Sequence, residues 1–190
     1  MKGDPKLIII TAPSGAGKTS IIRYLLKKYP QLAFSVSATT RPRRDYEKAG
    51  VDYYFVSTEE FQQQIQHDEF VEWEMVYKGK YYGTLKSELE RIWRQGQIPM
   101  LDIDVKGAIH VQQQYPGSSL AIFIEPPSID ELKRRLESRG TESSETLLDR
   151  INKASYELSF KLHFKHVILN DDFDKACKKA SLLVEDFLGQ

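Results

Sequence analysis

A glycine-rich segment near the start of the chain, APSGAGKT at residues 12–19, lies between an apolar run and an amphipathic stretch. The run at 7–11 (LIIIT) is typical of a buried strand, and residues 18–28 carry apolar side chains at helical spacing. A strand, a turn of this composition and a helix in that order form the context in which a P-loop binds nucleotide phosphates. The sequence therefore predicts a nucleotide site at the end of the first strand.

The residue types in this segment suit phosphate binding. Gly15 and Gly17 let the backbone bend so that several N–H groups point at one phosphate, and the helix N-terminus adds partial positive charge. Lys18 can reach the β- and γ-phosphates, while the hydroxyl of Thr19 can ligate Mg²⁺. Ala12 replaces the usual first glycine, and it fits this position if its φ is negative. Because GTPases, kinases and mechanical ATPases all carry a P-loop, this segment alone does not define a reaction.

Further strand-like runs alternate with amphipathic segments along the rest of the chain. These runs lie at residues 33–37, 98–105, 120–124 and 167–169. Between the last two of these runs, Ser128 and Glu131 form a capping box that opens a helix. A final helix follows the last run and starts at about Asp174. Strands that alternate with helices predict βαβ units and a parallel sheet.

Two stretches interrupt this alternation. Residues 38–84 are rich in aromatic and charged side chains, with a capping box from Ser57 to Glu60 and a hairpin turn predicted at Lys78–Gly79. We interpret them as an inserted small α+β subdomain. Residues 126–153 are helical and rich in arginine, and we interpret them as a mobile lid with Gly140 as its hinge.

Composition excludes several classes of protein. The 190 residues carry 27 Lys and Arg against 27 Asp and Glu, so the formal net charge of zero argues against a nucleic-acid or membrane-surface partner. The longest aliphatic run near the start is too short for a spanning helix or a signal peptide. Cys177 is the only cysteine, which excludes an internal disulfide and favours a packed thiol on a helix. We expect a cytoplasmic globular protein.

A series of spaced motifs follows the P-loop. They are SVSATTR at 35–41, Arg44, Glu47, Gly50, DYYFV at 52–56, FVEW at 70–73, YYGT at 81–84, LDID at 101–104, RLESRG at 135–140 and NDD at 170–172. Their order and spacing resemble the guanylate kinase family of P-loop nucleoside monophosphate kinases over essentially the whole chain. The resemblance implies Mg²⁺-dependent phosphoryl transfer from ATP to GMP, and to dGMP as well, in purine nucleotide metabolism.

The resemblance also implies an architecture. It is a P-loop NTPase-type α/β fold, a parallel sheet flanked by helices, with an inserted small α+β subdomain and a helical lid. A CORE would comprise residues 1–37, 85–125 and 154–190, a GMP-binding subdomain residues 38–84, and a LID residues 126–153. The last two coincide with the interruptions described above.

The resemblance implies a set of GMP-binding residues. These are Ser37, Arg41, Arg44, Tyr53, Glu72, Tyr82, Gly83, Thr84 and Asp104. Guanine presents N1–H and N2–H₂ side by side, and the carboxylate of Glu72 can accept from both. Adenine would leave this carboxylate poorly paired, at a cost of ~1–3 kcal/mol. Two guanidiniums, of Arg41 and Arg44, and two phenols suit the GMP phosphate dianion.

A second set of residues is implied for ATP and for catalysis. The ATP set is Ser14, Gly15, Ala16, Gly17, Lys18, Thr19, Ser20, Arg135 and Asn170, and the catalytic set is Lys18, Arg44, Arg135, Arg139 and Arg150. The metal would be held by Thr19, with Asp102 acting through water. Because cations and Mg²⁺ stabilise the charge of the transferred phosphoryl group, we assign no general base.

Three further positions depart from the family pattern. Arg43 stands where the family commonly has Pro, Tyr46 where it has Gly, and Lys106 where many relatives have Gln. The first two leave the register of Arg43 against Arg44 open. We prefer Arg44 because the spacing to Glu47 then holds without a gap.

Three other functions compete with the preferred one. Guanylate-kinase-like scaffold domains bind phosphopeptides, but they typically lose the P-loop lysine and the lid arginines, and Lys18, Arg135, Arg139 and Arg150 are all here. A kinase for another small monophosphate is disfavoured by Glu72. A GTPase switch is disfavoured because the chain has no Asn-Lys-x-Asp motif. Oligomeric state is not predictable from these patterns.

Overall fold

Strands and helices alternate along the chain in the computed structural model, which describes residues 5–138 and 144–189. The strands are β1 (Leu7–Thr11), β2 (Leu32–Phe34), β3 (Ala38–Thr39), β4 (Tyr54–Phe55), β5 (Phe70–Tyr77), β6 (Lys80–Leu85), β7 (Ile98–Asp102), β8 (Ser119–Glu125) and β9 (His166–Leu169). The α-helices are α1 (Lys18–Lys28), α2 (Thr58–Gln66), α3 (Lys86–Arg94), α4 (Val105–Gln114), α5 (Ile129–Glu137), α6 (Ser144–Leu158) and α7 (Phe173–Leu188), with a 3₁₀ helix at Lys161–His163.

The central sheet has five strands in the order β2-β7-β1-β8-β9, and every pair of neighbours is parallel. Ile8, Ile9 and Ile10 of β1 are fully buried, because the sheet is covered on both faces. Ile8 and Ile10 pack into a cluster with residues of α1 and α7. Ile9 packs on the opposite face with residues of α3 and α4. The predicted parallel α/β fold is confirmed.

A second sheet lies outside the central one. Its four strands follow the order β4-β3-β6-β5, with β3 parallel to β4 and antiparallel to β6. Its apolar cluster centres on Ala38, Phe61 and Phe70, and the two phenyl rings stack 4.4 Å apart between centroids. The predicted hairpin turn is present, with Gly79 at φ +71°. The N-cap hydrogen bond of the predicted capping box is also present, because Ser57 Oγ accepts from Glu60 N.

Two strands predicted from apolar runs are shorter than expected. The run at 33–37 forms a strand only from Leu32 to Phe34, because after Ser35, whose N–H still donates to Met100 O, the chain passes to the second sheet, where Ser37 O accepts from Tyr54 N. The run at 98–105 ends as a strand at Asp102. Its last residues differ because Asp104 Oδ1 accepts from Gly107 N at 2.9 Å and thereby caps α4.

The arginine-rich stretch contains two helices, α5 and the first part of α6. Ser128 Oγ accepts from Glu131 N at 3.1 Å, so the N-cap hydrogen bond of the predicted capping box opens α5. Leu132 and Leu136 of α5 pack against Ala154 of α6. The hinge predicted at Gly140 lies outside the described residues. The three-part division with its boundaries stays a prediction.

Candidate active site

The glycine-rich turn joins β1 to α1 at the carboxyl edge of the central sheet. Gly17 has φ +95°, and a Cβ there would lie 2.3 Å from Asn170 Nδ2. Asn170 is buried at the end of β9, and its Nδ2 donates to Ala16 O at 2.7 Å. The side chain of Asn170, at the end of β9, therefore stabilises the turn, and a side chain at Gly17 would break that contact.

Ala12 is compatible with this turn. Among the described non-glycine residues only Asp68 has a positive φ, so Ala12 adopts an ordinary backbone conformation. Its methyl group is buried in the apolar cluster beside α1. Alanine in place of glycine is therefore compatible with the backbone at position 12.

Lys18 points toward the carboxyl end of β7. Its Nζ lies 2.6 Å from Asp102 Oδ1 and donates to Ile103 O at 3.1 Å. Thr19 and Asp102 line the same cavity as Lys18. A threonine hydroxyl and a carboxylate are hard oxygen donors of the kind that Mg²⁺ prefers, so these residues fit the predicted metal.

One cavity of about 290 Å³ lies between the P-loop and the second sheet. Its lining includes most residues predicted to bind the two nucleotides: Ser14, Gly15, Gly17, Lys18, Thr19, Ser20, Ser37, Tyr53, Glu72, Tyr82, Gly83, Asp102 and Asp104. Ala16 is buried beneath the turn. Residues separated by dozens of positions in the chain thus meet around a single space.

Glu72 is a buried acid on β5, with only 7% of its surface exposed. Thr84 Oγ1 donates to Glu72 Oε1 at 2.6 Å, and Glu72 Oε2 faces Gly107 at the start of α4. Burial raises the pKa of Glu72 to about 7, with a further contribution from the negative charge of Asp104, although the Thr84 hydrogen bond opposes the shift. A carboxylate in this position can accept two donors from a flat ligand.

Arg41 forms a two-point ion pair with Glu47. Arg41 Nη1 lies 2.7 Å from Glu47 Oε2 and Nη2 lies 2.5 Å from Oε1, while the guanidinium stacks over Tyr53 at 4.9 Å. The hydrogen bond from Arg41 lowers the pKa of Glu47 to about 2. Glu47 therefore stays ionised at neutral pH and holds Arg41 against the wall of the cavity.

The same glutamate organises the loop around positions 43 and 44. Arg44 N donates to Glu47 Oε2 at 2.8 Å, and Arg43 Nη1 donates to Glu47 O at 2.6 Å. The guanidinium of Arg44 extends outward and donates to Tyr46 Oη at 3.0 Å. Arg43 is thus tied back to its own loop, whereas Arg44 carries the more exposed cation.

The predicted arginines that the structure describes, Arg41, Arg44, Arg135 and Arg150, are not in the cavity lining. Arg41 lies behind Tyr53 and Tyr82, which do line the cavity, and Arg44 is on the outside of its loop. Arg135 donates through Nε to Glu131 Oε1 at 2.9 Å and through Nη2 to Asn170 O at 3.1 Å. Arg150 is partly buried on α6, and Arg139 lies outside the described residues.

Comparisons with known proteins agree on one family. The family model described as Guanylate kinase matches residues 4–187. The chain belongs to the guanylate kinase family. A guanylate kinase of Bacteroides fragilis is 49% identical over 187 residues, covering 98% of this chain and 92% of that protein. One of Bacteroides thetaiotaomicron is 47% identical over 185 residues, covering 97% and 91%.

A solved structure shows the same likeness. The crystal structure of guanylate kinase from Anaplasma phagocytophilum superposes with a TM-score of 0.78 at 30% identity, covering 98% of this chain and 87% of that one. The match spans both sheets, so it includes every element that lines the cavity.

Four residues that line the cavity of this guanylate kinase family member lie outside every sequence motif described above: Glu74, Val76, Lys153 and Glu157. Glu157 is buried, its pKa is raised by burial, and its Oε1 lies 3.6 Å from Lys153 Nζ. Arg150, Lys153 and Glu157 recur at helical spacing on α6, and this spacing could have found them.

Two further features concern predicted partners and cofactors. No helix in residues 5–138 and 144–189 has the length and apolar character needed to cross a membrane. Within those same ranges, no three His, Cys, Asp or Glu side chains cluster as an all-protein metal site. Mg²⁺ in kinase sites is commonly shared between few protein donors and the nucleotide phosphates.

Proposed function

We propose that this protein is an ATP:GMP phosphotransferase that converts GMP to GDP, as its family membership and its relatives' names indicate. One observation carries the proposal beyond the name. A single cavity is bordered on one side by the P-loop and on the other by the buried acid Glu72. ATP would bind on the P-loop side and GMP against the second sheet.

Glu72 supports a guanine base on the monophosphate side. Its carboxylate can accept N1–H and N2–H₂ of guanine together, and Thr84 already holds one of its oxygens in place. Ser37 lines the same wall and can approach O6 and N7. Adenine has no N2 amine and presents an acceptor at N1, so it would leave a buried acceptor unsatisfied. dGMP has the same base and is the expected second substrate.

The transfer itself needs positioning more than covalent chemistry. An oxygen of the GMP phosphate attacks the γ-phosphorus of ATP, the bond from that phosphorus to the bridging oxygen breaks, and ADP leaves. Lys18 supplies positive charge at the β- and γ-phosphates, and Arg41, Arg44, Tyr53 and Tyr82 hold the GMP phosphate. Thr19 would hold Mg²⁺, with Asp102 through water, and the bound ion would neutralise charge on the phosphates.

The arginines outside the cavity give closure a role. Arg44 on the second-sheet side and Arg135, Arg139 and Arg150 on the helical side would reach the phosphates when both parts move inward. Closure would also exclude water, which otherwise could accept the γ-phosphate. The proposed moving parts are the GMP-binding subdomain at 38–84 and the LID at 126–153, around the CORE. A cytoplasmic location is part of the same proposal.

A coupled assay with ATP and each of GMP, dGMP, AMP, UMP and CMP tests the substrate. Turnover should be confined to GMP and dGMP, and preference for any other monophosphate would contradict the proposal. Lys18→Ala should lower kcat by about a hundredfold or more. A kcat near that of the unmodified enzyme would refute the P-loop assignment. Absence of turnover with every monophosphate, alongside phosphopeptide binding, would favour the scaffold alternative.

A further inference from the structure

Glu88 is a buried acid that lies outside the cavity and accepts four hydrogen bonds. It occupies the first turn of α3 and is 3% exposed. Its Oε1 accepts from Val36 N at 3.1 Å, and its Oε2 accepts from Tyr54 Oη at 3.1 Å. Arg91 donates to both oxygens, at 2.8 Å to Oε1 and 2.9 Å to Oε2. One carboxylate therefore joins three separate parts of the chain.

Two of these contacts lie where the chain passes from one sheet to the other. Ser35 N still donates to Met100 O of the central sheet, whereas Ser37 O already accepts from Tyr54 N of the second sheet. Val36 stands between them, and its N–H is the group that Glu88 accepts. The return connection is at Leu85, where β6 runs directly into α3 and so into Glu88. Glu88 therefore connects the segment at which the chain leaves the central sheet with the segment at which the chain returns to it.

The chemistry of Glu88 suits a fixed anchor. Burial opposes its ionisation, but hydrogen bonds from Arg91 and Val36 N lower the pKa of Glu88 below its ordinary value. A buried carboxylate whose oxygens are each held by two donors has little freedom to rotate. Removing it would leave a backbone N–H and a phenol without their acceptor, which disfavours the positions that they now hold.

Both anchored groups are chain neighbours of residues in the cavity wall. Val36 precedes Ser37, and Tyr54 follows Tyr53. We propose that Glu88 is a positioning residue for the monophosphate, fixing the Ser37 hydroxyl for the guanine edge and the Tyr53 phenol for the phosphate. This inference rests on the function proposed above and assigns Glu88 no contact with substrate. The P-loop side of the cavity has no such link to Glu88 among its described hydrogen bonds.

Three variants separate positioning from a general effect on stability. Glu88→Gln keeps the side-chain volume and one acceptor oxygen. Its N–H₂ group, however, would face the hydrogen-bond donors that now point at the second carboxylate oxygen. Tyr54→Phe removes only the phenol contact and leaves the Val36 contact in place. Glu90→Gln is the matched control, because Glu90 lies on the same helix in an exposed pair with Arg94. For each, KM for GMP, KM for ATP, kcat and the melting temperature are measured.

Positioning predicts a selective effect. KM for GMP should rise about tenfold in Glu88→Gln and about threefold in Tyr54→Phe, while KM for ATP changes by less than about twofold. Glu88→Ala should raise KM for GMP further than Glu88→Gln, since the glutamine retains part of the anchor. Glu90→Gln should leave every kinetic constant unchanged.

A different set of kinetic results would contradict the inference. If Glu88→Gln and Tyr54→Phe lower only the melting temperature and kcat, or raise both KM values alike, Glu88 is structural and the inference is wrong. Should Glu88→Ala fail to fold, these two milder variants still decide. Failure of the proposed function itself would appear separately, as an unmodified enzyme that does not phosphorylate GMP.

Discussion

Two requirements on the carboxyl group of Glu72 oppose each other. Guanine needs the ionised carboxylate as a double acceptor, yet burial beside Asp104 disfavours that charge and raises the pKa of Glu72 to about 7. The protonated form of Glu72 is therefore favoured more in this site than in water. GMP supplies two donors to the carboxylate, so its binding should favour release of this proton.

The raised pKa predicts that GMP binding strengthens with pH. Because the ionised fraction of Glu72 rises about tenfold between pH 6 and pH 8, KM for GMP should fall by a similar factor over this range, while KM for ATP stays nearly constant. Glu72→Gln should lower kcat/KM for GMP by about a hundredfold and leave KM for ATP unchanged. Steady-state kinetics at pH 6, 7 and 8 measure both effects.

The control for this prediction is the same variant across the pH series. The GMP phosphate has a second pKa of about 6 and titrates in the same range. Glu72→Gln retains that titration and lacks the carboxyl, so the difference between the two pH profiles isolates Glu72. Parallel profiles would show that the phosphate alone is responsible. An equal loss of GMP and ATP use would contradict the role of Glu72 in reading the base.

Gly107 should be as important to base recognition as the acid it faces. A Cβ at this position would lie 2.5 Å from Glu72 Oε2, and the backbone N–H of Gly107 is held by Asp104. Gly107→Ala should displace the carboxylate and raise KM for GMP about tenfold or more with little change in KM for ATP. His110→Ala, at an exposed position of the same helix, is the control and should have no such effect. A crystal structure with Glu72 unmoved and KM unchanged would contradict this account.

Individual site residues were predictable because their spacing follows a pattern, but their partners were not. Glu72 and Thr84 are 12 positions apart, and only the pairing of β5 with β6 brings them to 2.6 Å. The ion pair of Arg41 with Glu47 depends on the path of an irregular loop, for which the sequence has no periodicity. In this loop the guanidinium of Arg43 donates to Glu47 O and that of Arg44 donates to Tyr46 Oη, and the choice of Arg44 for the GMP phosphate stays a prediction.

The P-loop depends on a neighbouring strand end as well as on its own glycines. Asn170 was placed near adenine by resemblance, and in the structure its side-chain Nδ2 donates to Ala16 O while its backbone carbonyl oxygen accepts from Arg135 Nη2. This chain of contacts connects α5, β9 and the turn before α1. The P-loop should lose part of its fixed shape when the amide is removed.

Asn170→Ala should raise KM for ATP about fivefold and leave KM for GMP within about twofold. Asp171→Ala changes the adjacent exposed residue and serves as the control. Repeating the assay with GTP as phosphoryl donor separates the two roles of Asn170. A similar loss with both donors supports the P-loop contact, whereas a loss confined to ATP would show that Asn170 acts through adenine.

Strands and capped helices were predictable from apolar periodicity and from capping boxes, since both are local. The ends of β2 and β7 were not, because apolar residues continue past the point where the backbone changes partners. Residues 35–37 remain apolar or small, while Ser35 N still donates to Met100 O of the central sheet and Ser37 O accepts from Tyr54 N of the second sheet. An apolar pattern in the sequence predicts that residues are buried, but it does not predict in which sheet they lie.

The arrangement of charge across the two sheets explains how a chain of zero net charge can bind two polyanions. Lys18 is at the cavity, while Arg41 and Arg135 around it pair with Glu47 and Glu131, and Arg44 Nη1 lies 3.9 Å from Glu47 Oε1. Glu47 and Glu131 hold these cations until phosphate oxygens compete for them. Bringing them to the phosphates requires the parts that carry them to move.

Relative motion of these parts can be measured directly with pairs of spin labels. Lys48→Cys, on the loop held by Glu47, and Lys133→Cys, on α5, place labels at exposed positions on opposite sides of the cavity. Addition of GMP should shorten this distance by several ångström, and addition of ATP should shorten it further, because each nucleotide draws one part inward. A control pair at Lys27 and Lys179, both exposed on packed helices of the central unit, should not change.

The native cysteine suits this experiment. Cys177 is buried on α7, and burial raises the pKa of its thiol, so it should react slowly with the label. Labelling of the unmodified chain measures that background. If the distance across the cavity is the same with and without nucleotides, the arginines cannot reach the phosphates by closure, and catalysis must depend on Lys18 and Mg²⁺ within the cavity as it stands.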